Sequence, residues 1–213
     1  MYFTLTMSKL SAVKTTETTT NEPISIGDRA IDNLAFIRET MERSTSFTAV
    51  PGYGGMLMGV TAVAAAFIAN GQVYFRDSLM TWLIEAALAF SIGLLAMWQK
   101  SKLAGQSLVS VPARKFAMSF APPLIVGVVV VMGLWHYGDY YEMPAVCMLS
   151  YGAAVVCGGA FSVRVIPVMG WCFIALGAIA FALPSNYGNL MMGLSFGLLH
   201  IIFGAVIARR YGG

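Results

Sequence analysis

Uncharged apolar stretches of nearly bilayer-crossing length recur along the chain from residue 54 onward. An α-helix needs about 20 apolar residues to cross the roughly 30 Å of hydrocarbon in a bilayer. The composition agrees, because 58% of the residues are hydrophobic and only 11% are charged, which is too apolar for a domain surrounded by water. We therefore predict an all-α fold, a polytopic membrane bundle of six transmembrane helices. The predicted spans are residues 54–69, 79–98, 116–135, 143–163, 165–183 and 189–208.

Prolines leave two features of these spans open. Only Arg164 separates the fourth span from the fifth, so the chain either makes a tight turn there, which Pro167 favours, or continues as one long bent helix. In the third span, the pair Pro122-Pro123 removes backbone donors and predicts a kink. That kink either opens a cavity or is a packed bend in a helix that begins near Pro112.

The chain changes character just before the first span, at the break formed by Pro51 and Gly52. Residues 1–23 are predicted to be a disordered polar tail, because Thr and Glu dominate their second half. Residues 24–50 are predicted to form an amphipathic cytoplasmic helix beside the membrane. Residues 51–213 are predicted to form the six-helix transmembrane domain.

The predicted amphipathic helix carries one apolar stripe. Ile31, Leu34, Ile37 and Met41 recur every three or four positions, and Asp28 is placed to cap the helix N-terminus. Such a stripe fits the membrane interface, the ends of the spans, or the surface of a partner protein. We therefore predict that residues 28–43 contact lipid or a membrane or cytoplasmic protein partner.

Basic residues predict the orientation of the spans. Of the 13 Lys and Arg residues, only Arg76 falls on one side of the six-span topology, and the other 12 fall on the opposite side. Because Lys and Arg collect in cytoplasmic segments, both termini are predicted to be cytoplasmic. The same distribution makes the lipid bilayer the expected partner and argues against nucleic-acid binding.

Two ionisable side chains lie well inside the predicted spans, Glu85 in the second and His200 in the sixth. Such groups are costly in hydrocarbon and usually face a bundle interior or a water-filled cavity. Helical rise puts them about 8 Å apart in depth, so a direct pair is not expected unless Ser195 or a water links them. Glu85 is either a buried, protonated structural acid or a functional proton or cation site. For His200 a structural hydrogen bond is favoured.

Small residues four positions apart occur in the first and last spans, as Gly55 and Gly59 and as Gly193 and Gly197. This spacing lets helix backbones approach closely in lipid. Packing within the bundle explains the pattern, and a homo-oligomer formed through these glycines is the alternative.

Motifs for catalysis or cofactor binding do not occur in the sequence. Cys147, Cys157 and Cys172 lie in predicted spans and lack the spacing of metal ligands. The acidic and aromatic segment 136–142 matches no defined metal site. We predict that the protein is not an enzyme and holds no cofactor or metal.

The stretch IRETMERS at residues 37–44, followed by FTAVPG at residues 47–52, resembles a group of bacterial multi-pass inner-membrane proteins. That group shares the helix beside the membrane and the Pro-Gly break before the first span. The resemblance implies a location in the bacterial inner membrane. It implies no activity, because none is established for the group.

Two classes of function fit these observations. The first is a non-catalytic accessory or regulatory protein, which anchors its cytoplasmic helix to a partner. The alternative is a small transporter or channel that uses Glu85 and His200 in the bundle interior. The first is preferred, because most of the spans are plain apolar runs, whereas transporter spans are usually interrupted near the middle of the bilayer.

Overall fold

A computed structural model describes residues 31–37, 40–41, 47–105, 107 and 109–212 of the chain. The chain divides into two compact units, Met1–Glu39 and Thr40–Gly213. In the first unit the described residues, 31–37, are helical and exposed. The predicted tail, residues 1–23, and the predicted cap Asp28 lie outside the described residues.

The second unit is all-α, as the sequence predicts. Five of its helices, α1, α2, α3, α5 and α6, are long and apolar enough to cross a membrane, whereas the apolar helix α4 has 17 residues. A seven-residue π-helix, Gly193–Leu199, lies within α6. The helices are α1 (Gly52–Asn70), α2 (Phe75–Leu103), α3 (Val111–Tyr137), α4 (Met143–Gly159), α5 (Val165–Ala182) and α6 (Ser185–Tyr211).

Local sequence signals explain where these helices begin and end. The Ser110 hydroxyl caps α3 by accepting a hydrogen bond from the backbone N–H of Ala113, and Pro112 lies in the first turn. Gly138 ends α3 with a φ of 79°, a left-handed conformation that suits glycine. Pro122 and Pro123 lie inside α3, which continues as one helix through them.

The connection at Arg164 is a turn. Helix α4 ends at Gly159, four residues earlier than the predicted fourth span, and α5 begins at Val165. Backbone N–H groups of Phe161 and Ser162 bond back to the carbonyls of Gly158 and Gly159, which closes the turn. Of the two alternatives that the sequence left open, the structure therefore has the turn that Pro167 favours, and not one long bent helix.

Glycines bring α1 against α6 and α4 against α5. A Cβ atom on Gly59 would lie 2.6 Å from the carbonyl oxygen of Gly197, and one on Gly152 would lie 2.8 Å from the carbonyl oxygen of Gly170. Both pairs are antiparallel, because later positions of one helix face earlier positions of the other, as Gly55 faces Gly204 and Gly59 faces Gly197. Helix α2 packs on α1 and α3 packs on α4. Helices α2 and α3 therefore lie at the edges of the bundle.

Side chains near Asn70, Phe75 and Tyr140 define one end of the bundle, called here the top. The ring of Phe75 stacks on Tyr140 at 4.7 Å between centroids. The amide oxygen of Asn189 accepts hydrogen bonds from the Ser78 hydroxyl at 3.0 Å and from the Trp82 indole N–H at 2.9 Å. These bonds tie the start of α2 to α6.

The opposite end, called here the base, is fastened by residues 47–50, which lead into α1. The backbone N–H of Phe47 donates to the Phe161 carbonyl at 2.8 Å, and the Ser162 hydroxyl donates to the Phe47 carbonyl at 2.6 Å. The Lys100 ammonium donates to three carbonyls, those of Val50 at 2.9 Å, Tyr211 at 3.2 Å and Gly212 at 2.6 Å. A cation is favourable at the C-terminus of a helix, so Lys100 stabilises the end of α6.

Alanine at Gly59 or Gly152 is expected to destabilise the bundle. Each new Cβ would overlap the backbone of the facing helix, and overpacking of this kind typically costs about 1–3 kcal/mol. The measurement is the midpoint of thermal unfolding of the purified protein in detergent. Gly133→Ala is the matched control, because nothing lies within 4 Å of a Cβ at that helical position. If Gly133→Ala lowered the unfolding midpoint as much as Gly59→Ala, close backbone contact could not be the cause of the loss.

Candidate functional site

Glu85 lies on the face of α2 that contacts α1, and only 7% of its surface is exposed. Its Oε1 atom is 2.8 Å from the hydroxyl oxygen of Thr61 on α1. The Thr61 hydroxyl oxygen is also 2.8 Å from the carbonyl oxygen of Met58 and 3.3 Å from that of Leu57. The carboxyl group therefore reaches the helix backbone of α1 through one intervening hydroxyl.

His200 lies on α6, directly after the π-helix, and 6% of its surface is exposed. Its Nε2 atom is 2.8 Å from the hydroxyl oxygen of Tyr151 on α4. The rings of Phe173 and Phe196 pack against both side chains, with centroids 4.8 and 5.0 Å from Tyr151 and 5.4 and 6.2 Å from His200. The pair is thus enclosed in aromatic side chains.

The imidazole of His200 is held by one side-chain hydrogen bond among the described residues. In the bond between the Tyr151 hydroxyl and Nε2, the tautomer of the ring decides which atom donates. The buried Nδ1 atom has no hydrogen-bond partner among the described residues.

The two predicted polar residues belong to separate sites. Thr61 is the partner of Glu85 on α1, and Tyr151 is the partner of His200 on α4. Ser195 does not link them, because its buried hydroxyl donates to the Met192 carbonyl at 3.2 Å. A transport path through both residues would have to join two different faces of the bundle.

Sequence reasoning missed Thr61 and Tyr151. Each is a hydroxyl-bearing residue within an apolar span, and a buried ionisable group in lipid requires such a partner. The sequence therefore predicts that a partner exists for each ionisable group. Which residue it is depends on which helices pack together. The pairing of α1 with α2 and of α4 with α6 is what selects these two.

An aromatic row that the sequence did not reveal connects the base with His200. Phe47 contacts Phe116 at 5.2 Å between ring centroids, Phe116 contacts Phe120 at 5.5 Å, and Phe120 contacts Tyr151 at 6.1 Å. Offset and edge-to-face ring pairs at these distances are favourable beyond simple burial. The row fixes the side of α3 that faces α4.

The four glycines singled out in the sequence all lie on the contact between α1 and α6. A Cβ on Gly55 would be 3.6 Å from the Cα atom of Gly204, and a Cβ on Gly193 would be 2.7 Å from the Cβ atom of Ala66. Gly59 and Gly197 face each other directly. Helices of the same chain cover all four positions.

Among the residues that the structure describes, no three His, Cys, Asp or Glu side chains cluster as metal ligands. Cys147, Cys157 and Cys172 are free thiols. No protein-family model, curated protein or solved structure matches the chain. The two hydrogen-bonded pairs, Thr61 with Glu85 and Tyr151 with His200, are therefore the candidate sites on geometry alone.

Tyr151→Phe is expected to lower the stability of the protein. The change removes the hydroxyl that bonds Nε2 and leaves a buried ring nitrogen unsatisfied, which costs about 1–3 kcal/mol. The measurement is thermal unfolding in detergent, with Tyr137→Phe as the control because 81% of Tyr137 is exposed. In the background of His200→Phe the same Tyr151 change should cost much less. Equal losses in both backgrounds would contradict a Tyr151–His200 bond.

Proposed function

We propose that this protein is a six-span protein of the bacterial cytoplasmic membrane that holds its N-terminal helix close to the membrane for a protein partner. In this role it is a non-catalytic accessory or regulatory subunit. The exposed apolar stripe of the N-terminal helix carries the proposal.

Helix α4 completes the six spans of this proposal, beside the five helices that are long enough to cross a membrane. Its 17 residues rise about 26 Å at roughly 1.5 Å per residue, which is at the short end of the spanning range of about 17–25 residues. It packs against α5 along the glycine contact between Gly152 and Gly170. Because α5 is long enough to cross, its antiparallel neighbour returns the chain through the same layer.

The base faces the cytoplasm in this proposal, because it collects the basic side chains of the bundle. The top carries only Arg76 among the described Lys and Arg residues. Positive charge marks cytoplasmic segments, and the resemblance to bacterial inner-membrane proteins is consistent with that side. The basic residues at or beside the base are Lys100, Lys102, Arg114, Lys115, Arg164, Arg209 and Arg210.

Cysteine labelling tests this topology. In a variant whose three native cysteines are replaced by alanine, Lys102→Cys and Arg210→Cys are expected to resist a membrane-impermeant maleimide in intact cells, whereas Tyr141→Cys is expected to react. Permeabilised cells provide the control, since the two base positions should then react as well. Labelling of Lys102→Cys in intact cells would overturn the orientation.

The aliphatic side chains of the N-terminal helix are exposed. Ile31, Leu34 and Ile37 recur every third residue and expose 65%, 67% and 52% of their surfaces. An isolated helix this short is marginal in water and needs packing of its apolar face for stability. Such a stripe is the pattern by which a helix docks into an apolar groove.

A protein groove is a better cover for this stripe than a lipid surface. Helices that lie on membranes are rich in Lys and Arg on their polar face. Here the polar residues mix both signs: Asp32, Arg38, Glu39, Glu42 and Arg43. Mixed charge gives little attraction to anionic lipid but suits a partner with charges of both signs around its groove.

Photo-cross-linking in cells tests the docking proposal. A photoreactive amino acid in place of Leu34 should give one discrete protein adduct, whereas the same amino acid in place of Asp32 on the polar face should give little. Ile37→Asp should abolish the Leu34 adduct by placing a charge in the apolar contact, and deletion of residues 1–20 should leave it intact. Equal adducts from Leu34 and Asp32, or an Ile37→Asp variant that cross-links normally, would contradict docking through the stripe.

A small transporter or channel is the second candidate, because two polar side chains are held inside the bundle. Glu85 and His200 bond partners on different helices, however, and aromatic rings enclose His200. A transporter built on both residues would need a rearrangement that opens the α4–α6 contact. Docking needs no such change, and it is therefore the preferred function.

A further inference from the structure

The hydrogen-bond distances around Thr61 favour a neutral Glu85 over an ionised one. The Thr61 hydroxyl oxygen lies 2.8 Å from Oε1 of Glu85 and 2.8 Å from the carbonyl oxygen of Met58. A hydroxyl group has one hydrogen to donate, whereas a carboxylate and a carbonyl can only accept. With an ionised Glu85, two acceptors would compete for one hydrogen, and the unpaired one would face the Thr61 oxygen at hydrogen-bonding distance.

A neutral Glu85 satisfies every member of the chain. The protonated carboxyl donates to the Thr61 oxygen, and the Thr61 hydroxyl in turn donates to the Met58 carbonyl. Each short distance then has one donor and one acceptor. Hydrogen bonds arranged head to tail in this way also polarise one another favourably in a medium of low dielectric constant.

Within the part of the chain that the structure describes, no cation is placed to support a charged Glu85. Helix α1, on which it packs, contains no Lys, Arg, His, Asp or Glu, and its one titratable side chain is the exposed Tyr53 near the base. On α2 itself, Arg76 and Asp77 lie nine and eight residues before Glu85, about 12–14 Å away along the helix. Lys100 lies fifteen residues after Glu85 and is bonded to carbonyls at the base.

Helix α6 also places no cation beside Glu85. Its titratable residue nearest the middle of the helix, His200, is bonded to Tyr151, and its remaining titratable groups lie towards its ends. Those groups are Tyr187 at the top and Arg209, Arg210 and Tyr211 at the base. A carboxylate removed from water without a paired charge is strongly disfavoured, and the group takes up a proton instead.

We propose that Glu85, Thr61 and the Met58 carbonyl form an intramembrane proton-binding site, occupied at neutral pH. Binding moves one proton from water to a Glu85 carboxylate oxygen, and release returns that proton to water. After release, the Thr61 hydroxyl turns from the Met58 carbonyl to the carboxylate. The ligand of the site is the proton alone, and the inference is independent of docking by the N-terminal helix.

Proton release would act on the attachment of α2. The other polar contacts described here for α2 lie towards its two ends, where Ser78 and Trp82 bond Asn189, Thr81 bonds Gln72, and Lys100 bonds carbonyls at the base. Near mid-span, the Glu85–Thr61 bond is the polar contact between α2 and α1. A negative charge there draws water or a cation between the two helices, so protonation keeps α2 closed against α1.

Infrared spectroscopy of the full-length protein in lipid nanodiscs at neutral pH tests the proposal. A protonated carboxyl has a C=O stretch above the amide I band, and that stretch is expected in the wild-type protein and absent from Glu85→Gln. In Thr61→Val the band should remain but shift to higher frequency, because the acid has lost its hydrogen-bond acceptor. Wild-type and Glu85→Gln spectra that coincide in this region would show an ionised Glu85 and overturn the proposal.

Chemical labelling of the wild-type protein keeps the proposal testable if the variants do not fold. A hydrophobic carbodiimide takes the proton of a neutral carboxyl on nitrogen while the carboxylate oxygen adds to its central carbon, and acyl transfer then gives a stable N-acylurea. Mass spectrometry should find this adduct on Glu85, whereas a water-soluble carbodiimide with an added amine should modify Asp139 and Glu142 instead. Raising the pH should reduce the Glu85 adduct. Failure of the hydrophobic reagent to label Glu85 would contradict the site.

Discussion

Close backbone contact between glycine-bearing helices is the interaction on which the rest of the bundle depends. In lipid the apolar side chains gain little by leaving the solvent, so helices associate through close packing and hydrogen bonds. Gly59 against Gly197 and Gly152 against Gly170 bring two antiparallel pairs together at distances that any Cβ would prevent. These contacts set the positions of α1, α4, α5 and α6. Helices α2 and α3 then take edge positions, where most of their surface is available to lipid.

Two other helix contacts create the polar sites. Because α1 lies close to α2, Thr61 reaches Glu85, and because α4 lies close to α6, Tyr151 reaches His200. Both ionisable groups are thereby satisfied by neutral hydroxyl groups rather than by counter-ions. A neutral partner avoids the cost of burying a second charge, and it also permits each acid or base to remain uncharged in the hydrocarbon layer.

Much of the fold could be predicted from the sequence, because a bilayer forces backbone groups to bond within each helix. Apolar length therefore predicted the all-α membrane bundle, and Pro167 predicted the turn that follows α4. The partners of Glu85 and His200 could not be predicted, since spacing along a helix says which face a residue occupies but not which helix lies opposite. The π-helix before His200 also carries no periodic signal.

The base of the bundle limits where a docked partner can lie. Phe47 is fixed to the α4–α5 turn by two hydrogen bonds, and the Val50 carbonyl shares the Lys100 ammonium with the end of α6. Five residues lie between Met41 and Phe47, and the six Cα–Cα steps of an extended chain cover at most about 3.6 Å each, or roughly 22 Å. In the proposed docking, a partner that contacts Met41 would therefore lie within about that distance of Phe47. Because the anchor joins α2, the α4–α5 turn and α6, a pull from the partner would be shared among three parts of the bundle rather than borne by α1 alone.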